Sequence, residues 1–130
     1  MNTAIILEYI FYIGRTIIGV YFLVNAFNHL IKGKDMLGYA ASKGVPSPSL
    51  AVYGSGILLL LGGLSFLSGL YLPWGVIALL VFMIPVTFMM HSYWNEADPM
   101  QKMNERISFQ KNLAIIGFLL MFLPIAYLLG

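Results

Sequence analysis

The sequence predicts an all-α membrane protein: a four-helix transmembrane bundle with a short interfacial helix in the first loop. Three observations carry that expectation. Of the 130 residues, 60% are hydrophobic and only 9% are charged, whereas a soluble domain needs about 25% charged residues to cover its surface. The mean hydropathy is +0.87. The apolar residues also fall into four runs, each near the roughly 20 residues a helix needs to cross a hydrocarbon core.

The first run extends from about Ile5 to Leu30 and the second from about Leu50 to Leu70. The third runs from about Trp74 to Met90 and the fourth from about Asn112 to Leu129. We read residues 1–130 as one domain built from these spans. In lipid every backbone polar group must be satisfied within the segment, so uninterrupted apolar runs read as helices. A β-barrel would show alternation, and none is visible. The first run lacks a basic leader and is too long for a signal-peptide core, so it is expected to be retained as a helix. Tyr71-Leu72-Pro73-Trp74 reads as a tight turn, with Pro73 suited to opening a helix. Met36–Gly44 reads as the interfacial helix, ended by Gly44 and stopped by Pro46.

Two loops, Ile31 to Ser49 and His91 to Lys111, fall on one side of the four spans; the termini and the Tyr71–Trp74 turn fall on the other. Of seven basic residues, six (Lys32, Lys34, Lys43, Lys102, Arg106 and Lys111) belong to the loop side. Arg15 lies within the first span. Basic side chains are retained on the cytoplasmic face. The expected topology therefore has both loops cytoplasmic and both termini outside, in a multi-pass protein of the cell membrane.

Composition also narrows chemistry. The chain has no cysteine, which excludes disulfides, thiolate metal sites and thiol redox chemistry. A net charge of +2 without clustering offers no nucleic-acid footprint. No P-loop, nucleotide fingerprint, HExxH or GxSxG motif is present. Two histidines without a third clear ligand do not make a closed metal site. No self-sufficient catalytic or redox centre is visible.

Small residues repeat along the second span: Ser55, Gly62 and Gly69 at intervals of seven, with Gly56 and Gly63 beside them. The stripe permits close helix approach. It suits either plain bundle packing or a narrow gap for a flat ligand. Pro85 and Pro124 each remove a backbone donor from the third and fourth helices.

Polar residues inside the spans are the candidate site. Glu8, Arg15, Gly19, Phe22, Ala26 and His29 follow helical spacing and share one face. Arg15 lies about 15 Å into the first span, close to the bilayer middle. An arginine there costs on the order of 3 kcal/mol on insertion scales, so it should face the bundle interior and be paired. The expected arrangement is either an ion pair with Glu8, the only acid in a span, or a site for an anionic or carbonyl-bearing ligand. At the loop side, His29 ends the first helix, His91 the third, and Lys111-Asn112 opens the fourth. Asn25, Asn28, Tyr93 and Trp94 lie close by. Alternating helix direction brings these ends together, so His29, His91, Trp94 and Asn112 are expected to line one polar pocket.

Taken in order, Arg15-x3-Gly19-x2-Phe22, Asn28-His29, Tyr39-Ala40-x-Ser42-Lys43-Gly44-Val45-Pro46-x-Pro48, Leu61-Gly62-Gly63, His91-x2-Trp94, Asp98-Pro99 and Lys111-Asn112-Leu113-Ala114 resemble the DoxX family of small four-helix membrane proteins. No one of these is specific alone; their order and placement on four spans carry the resemblance. It implies a role linked to quinones or to oxidative stress, with a quinone as the candidate ligand and the pocket above as its site; with no redox centre of its own, the chain would present the quinone to a partner rather than catalyse alone. The alternative is a non-enzymatic membrane scaffold or assembly factor, and a small transporter is a third reading, weakened by the lack of a continuous polar path. Besides the lipid bilayer, the candidate partners are a second copy of the chain or a subunit of a redox complex.

Overall fold

The computed structural model describes residues 2–129. Among them are five α-helices, one 3-10 turn and no strand. In order they are α1 (Thr3–Ile31), α2 (Gly33–Ser42), α3 (Pro48–Ser68), α4 (Leu72–Met90), the 3-10 turn Tyr93–Asn95, and α5 (Pro99–Leu129). Helices α1, α3, α4 and α5 are each long and apolar enough to cross a membrane. The interfacial segment is α2, and it begins earlier than Met36.

Local chemistry explains where most of these helices begin and end. The Asn2 side chain caps α1 by accepting from the Ile5 amide at 3.0 Å. Pro48 and Pro73 stand in the first turns of α3 and α4, where a missing N–H costs nothing. Helix α3 ends at Gly69, whose φ of +75° suits glycine and whose N–H donates to the Ser65 carbonyl at 2.8 Å. Ser65 Oγ then donates to the Leu70 carbonyl at 2.7 Å, tying the α3–α4 turn back to its own helix.

The fourth span was expected to begin at Asn112, yet its helix starts at Pro99. The reason is a cap: Asp98 Oδ2 accepts from the Gln101 amide at 2.9 Å, and Pro99 takes the first helical position. At 31 residues, α5 is about 46 Å long, well beyond a hydrocarbon core of about 30 Å. Its first dozen residues therefore extend past the loop ends of the other helices. Glu105, which the loop assignment would leave in solvent, sits on this extension and is only 9% exposed.

Helix α3 lies between α1 and α4, and α4 in turn packs on α5. The glycine stripe serves these contacts. A Cβ on Gly19 or Gly56 would lie 2.8 Å from Leu67 or Leu30, and one on Gly63 would lie 2.9 Å from Leu23. Gly62 is filled in the same way by Leu79 of α4. At Gly56, Gly62 and Gly63 the stripe is therefore closed by the chain's own leucines, with no gap for a flat ligand between them. The buried core runs through Phe22 and Ala26 of α1, Leu59 and Phe66 of α3, Val76 and Leu79 of α4, and Leu119 and Phe122 of α5. Short α2 folds across the loop end and rests on α3, where Gly33 lies flat against the Tyr53 ring.

Candidate functional site

Arg15 lies at the turn end of the bundle, level with the end of α3. Its guanidinium packs against Gly69, the residue that ends α3 at the turn side of the bundle. Helix α1 is 29 residues long, about 43 Å, and overhangs α3 at that end. Arg15 is therefore near the middle of α1 yet level with the end of α3. The expected ion pair with Glu8 is not formed. Glu8 is exposed and accepts from the Tyr12 hydroxyl at 2.7 Å. Arg15 instead lies over the rings of Tyr12 and Phe11, at 5.2 and 6.0 Å from their centroids. Such cation–π contacts are worth about 0.5–2 kcal/mol. Its Nε is buried without a hydrogen-bond partner among the described residues. The arginine thus turns toward the bundle, as its cost in lipid demands, but it stands at the end away from the histidines.

At the loop end a cavity of about 590 Å³ opens between α1, α2, α3, α4 and the start of the α5 span. Its walls are mostly apolar, with Phe22, Leu59, Phe82 and Met83 among them. Polar groups enter from four helices, Asn25 and His29 from α1, Tyr39 from α2, Ser55 from α3, and Lys111 and Asn112 from α5, with His91 just after α4. Three of the four residues expected to share a pocket therefore share one. Trp94 does not. It lies in the 3-10 turn, 49% exposed, with its ring against Tyr93 and Phe109 at 5.2 and 5.4 Å. After His91 the chain leaves the axis of α4, and the turn packs on α5, which carries the indole away from the cavity.

Each histidine is fixed through its Nδ1. His29 Nδ1 lies 2.8 Å from Ser55 Oγ and 3.3 Å from the Val52 carbonyl, while the Ser55 hydroxyl donates to that same carbonyl at 2.8 Å. The His29 ring also meets the edge of Phe82, with centroids 5.6 Å apart. His91 Nδ1 donates to Glu105 Oε2 at 2.9 Å. Asn112 is buried, 7% exposed, and its side chain makes no hydrogen bond among the described residues.

Glu105 is the hub of a network that sequence reasoning missed. Its Oε1 accepts from the Tyr39 hydroxyl at 2.8 Å, and the Lys43 ammonium stands 3.8 Å from Oε2. Lys43, whose side chain is 8% exposed, also forms an ion pair with Glu96. Five side chains from α2 and its C-cap Lys43, the α4–α5 connection and α5 thus close the loop end beside the cavity. Burial and the adjacent Glu105 and Glu96 carboxylates push the Tyr39 hydroxyl well above the ordinary tyrosine range. Burial alone would raise Glu105, but hydrogen bonds from Tyr39 and His91, with the charges of His91 and Lys43, outweigh it and leave the carboxyl below its usual range. One signal was legible: Tyr39 and Lys43 are four apart, hence on one face of a helix.

The DoxX family model matches residues 10–92. The chain belongs to the DoxX family. As a DoxX protein with four spanning helices it is a multi-pass membrane protein. The match takes in Arg15, His29, Tyr39, Lys43 and His91, while Glu105, Lys111 and Asn112 lie beyond it. No curated protein and no solved structure matches the chain.

Proposed function

We propose that this DoxX protein binds a quinone or a similar lipophilic ring molecule in the loop-end cavity, as an accessory to membrane redox or stress-response chemistry. The observation that carries this reading is the cavity itself. It is about 590 Å³, within the roughly 300–1,000 Å³ typical of small-molecule sites, and it combines apolar walls with a few convergent polar groups. His29, His91 and Asn112 would meet the polar head, and the aromatic and aliphatic walls would take the ring and tail. With no redox centre evident in its residues, the chain would hold or present the molecule to a partner, a second copy or a redox-complex subunit. The alternative role as a scaffold draws no support from the glycine stripe, which is filled within the chain. Arg15, remote from the cavity, would stabilise the turn end and have no part in binding.

The test is titration of a decyl-substituted benzoquinone into the purified protein in nanodiscs, followed by calorimetry. The variant of choice is His29→Phe with Asn112→Leu. It leaves the His91–Glu105 network intact and strands no partner, because Ser55 keeps its bond to Val52. Binding should be lost while helicity and the unfolding midpoint are retained. Equal binding by the variant, or none by the wild type, sinks the reading. We further propose that the loops face the cytoplasm, on the strength of the six basic residues at the loop end. A reporter fused to the C-terminus that is active only in the cytoplasm would overturn this orientation.

A further inference from the structure

Resting on that reading of the cavity, we infer that the site takes the reduced, dihydroxy form of a quinone-type ring in preference to the oxidised, dicarbonyl form. The inference comes from which hydrogen-bonding role each histidine has left to offer. A carbonyl oxygen only accepts, and a serine hydroxyl has a single hydrogen to give. At His29 the Ser55 hydroxyl gives that hydrogen to the Val52 carbonyl. The Val52 carbonyl also faces Nδ1 at 3.3 Å and can only accept, which assigns the hydrogen between them, and with it the one toward Ser55 Oγ, to the imidazole. A neutral ring that carries its hydrogen on Nδ1 presents a bare lone pair at Nε2.

His91 reaches the same state by a different route. Its Nδ1 faces Glu105 Oε2 at 2.9 Å. That carboxylate already accepts from Tyr39 at 2.8 Å and has the Lys43 ammonium 3.8 Å away, so it is an acceptor toward His91 as well. The hydrogen again belongs to Nδ1, and Nε2 of the neutral ring is again an acceptor. Neither Nε2 has a protein partner, and neither is sealed off: the one buried unpartnered side-chain nitrogen among the described residues is Arg15 Nε. Both residues line the cavity.

With both rings neutral, the cavity therefore holds two acceptors whose tautomers are set from behind. A hydroquinone hydroxyl donates to such a nitrogen. A quinone carbonyl would set lone pair against lone pair and leave a desolvated acceptor unpaired. Asn25 and Asn112 carry both amide donors and acceptors and serve either form. Lys111, at the exposed rim, is the one group that offers only donors. The balance favours the form that brings hydrogens.

The experiment compares three ligands of one shape on the wild-type protein in nanodiscs, anaerobically at pH 8, where histidine is ordinarily neutral. They are a decyl-substituted benzoquinone, its hydroquinone, and the dimethyl ether of that hydroquinone. The hydroquinone should bind tighter than the quinone by roughly tenfold or more, the scale of one unpaired acceptor. The dimethyl ether, which has lost both donors, should fall to the level of the quinone or below. In the His29→Phe variant the preference should shrink severalfold. Equal binding of quinone and hydroquinone, or a dimethyl ether as tight as the hydroquinone, overturns the inference and leaves the cavity reading standing. Failure of all three to bind removes both together.

Discussion

The two ends of the bundle hold polar groups by different means. At the turn end, Arg15 is kept by the rings of Phe11 and Tyr12 and by the space that Gly69 leaves, with no ion pair among the described residues. At the loop end, Tyr39, Lys43, His91, Glu96 and Glu105 satisfy one another through hydrogen bonds and ion pairs from three parts of the chain. The first arrangement is local and steric, since Phe11, Tyr12 and Arg15 are within four residues of each other. The second is long-range and cooperative. Removing a member of the network strands others, whereas removing Arg15 strands nothing.

The largest effect should therefore come from Glu105→Ala. It leaves Lys43 with Glu96 alone and strips Tyr39 and His91 of their acceptor. Breaking a buried pair in this way costs about 3 kcal/mol, and hydrogen exchange should show α2 loosening before the rest of the bundle. An unchanged unfolding midpoint would refute the cooperative picture.

Acid should reach the same state without mutation. The native Glu105 carboxyl lies below its usual range, so the stability it contributes is fully present above the ordinary glutamate value of about 4.3. That stability is lost progressively as the pH falls through the lower native value. Exchange in α2 should accelerate below roughly pH 4 while the core of α3 stays protected. Loss of α2 protection already at neutral pH would contradict the assignment.

At the turn end, Gly69→Ala should cost about 1–2 kcal/mol, because φ is +75° and a Cβ there meets the Arg15 guanidinium. Adding Arg15→Leu should recover the steric part. A double-mutant cycle showing strict additivity would place the two residues out of contact. Arg15→Leu alone should have the smallest effect, under about 1 kcal/mol, since a lost cation–π contact is set against removal of a buried unpartnered Nε. A loss as large as that of Glu105→Ala would mean that the arginine holds a partner after all.

Some of the candidate site was readable beforehand. His29 and His91 close helices that end on the same side, and Asn112 opens the membrane-spanning part of α5 there, so their convergence follows from alternating direction. Trp94 followed the same logic and failed, because three residues past His91 the chain is already in a turn that packs on α5. Glu105 was overlooked although its cue was present: Asp98-Pro99 is a helix start, and a helix from Pro99 carries Glu105 back toward α2. For Arg15 the direction was legible but its level against α3 was not, since hydropathy measures the length of a run and not its offset against neighbours.

What the sequence determined by itself is what local physics decides. Apolar runs near 20 residues must be helices in lipid, proline and glycine at Pro48, Pro73 and Gly69 mark their ends, and glycines at intervals of seven let them touch. Tertiary structure alone decided how far each helix slides along the next, that leucines fill the glycine stripe, and that a cavity remains beside His29 and His91. It alone also joined Tyr39 to Glu105 across 66 residues and Lys43 to Glu96 across 53. Those pairings depend on packing among several helices at once, and no periodicity within a single helix encodes the position of its neighbours.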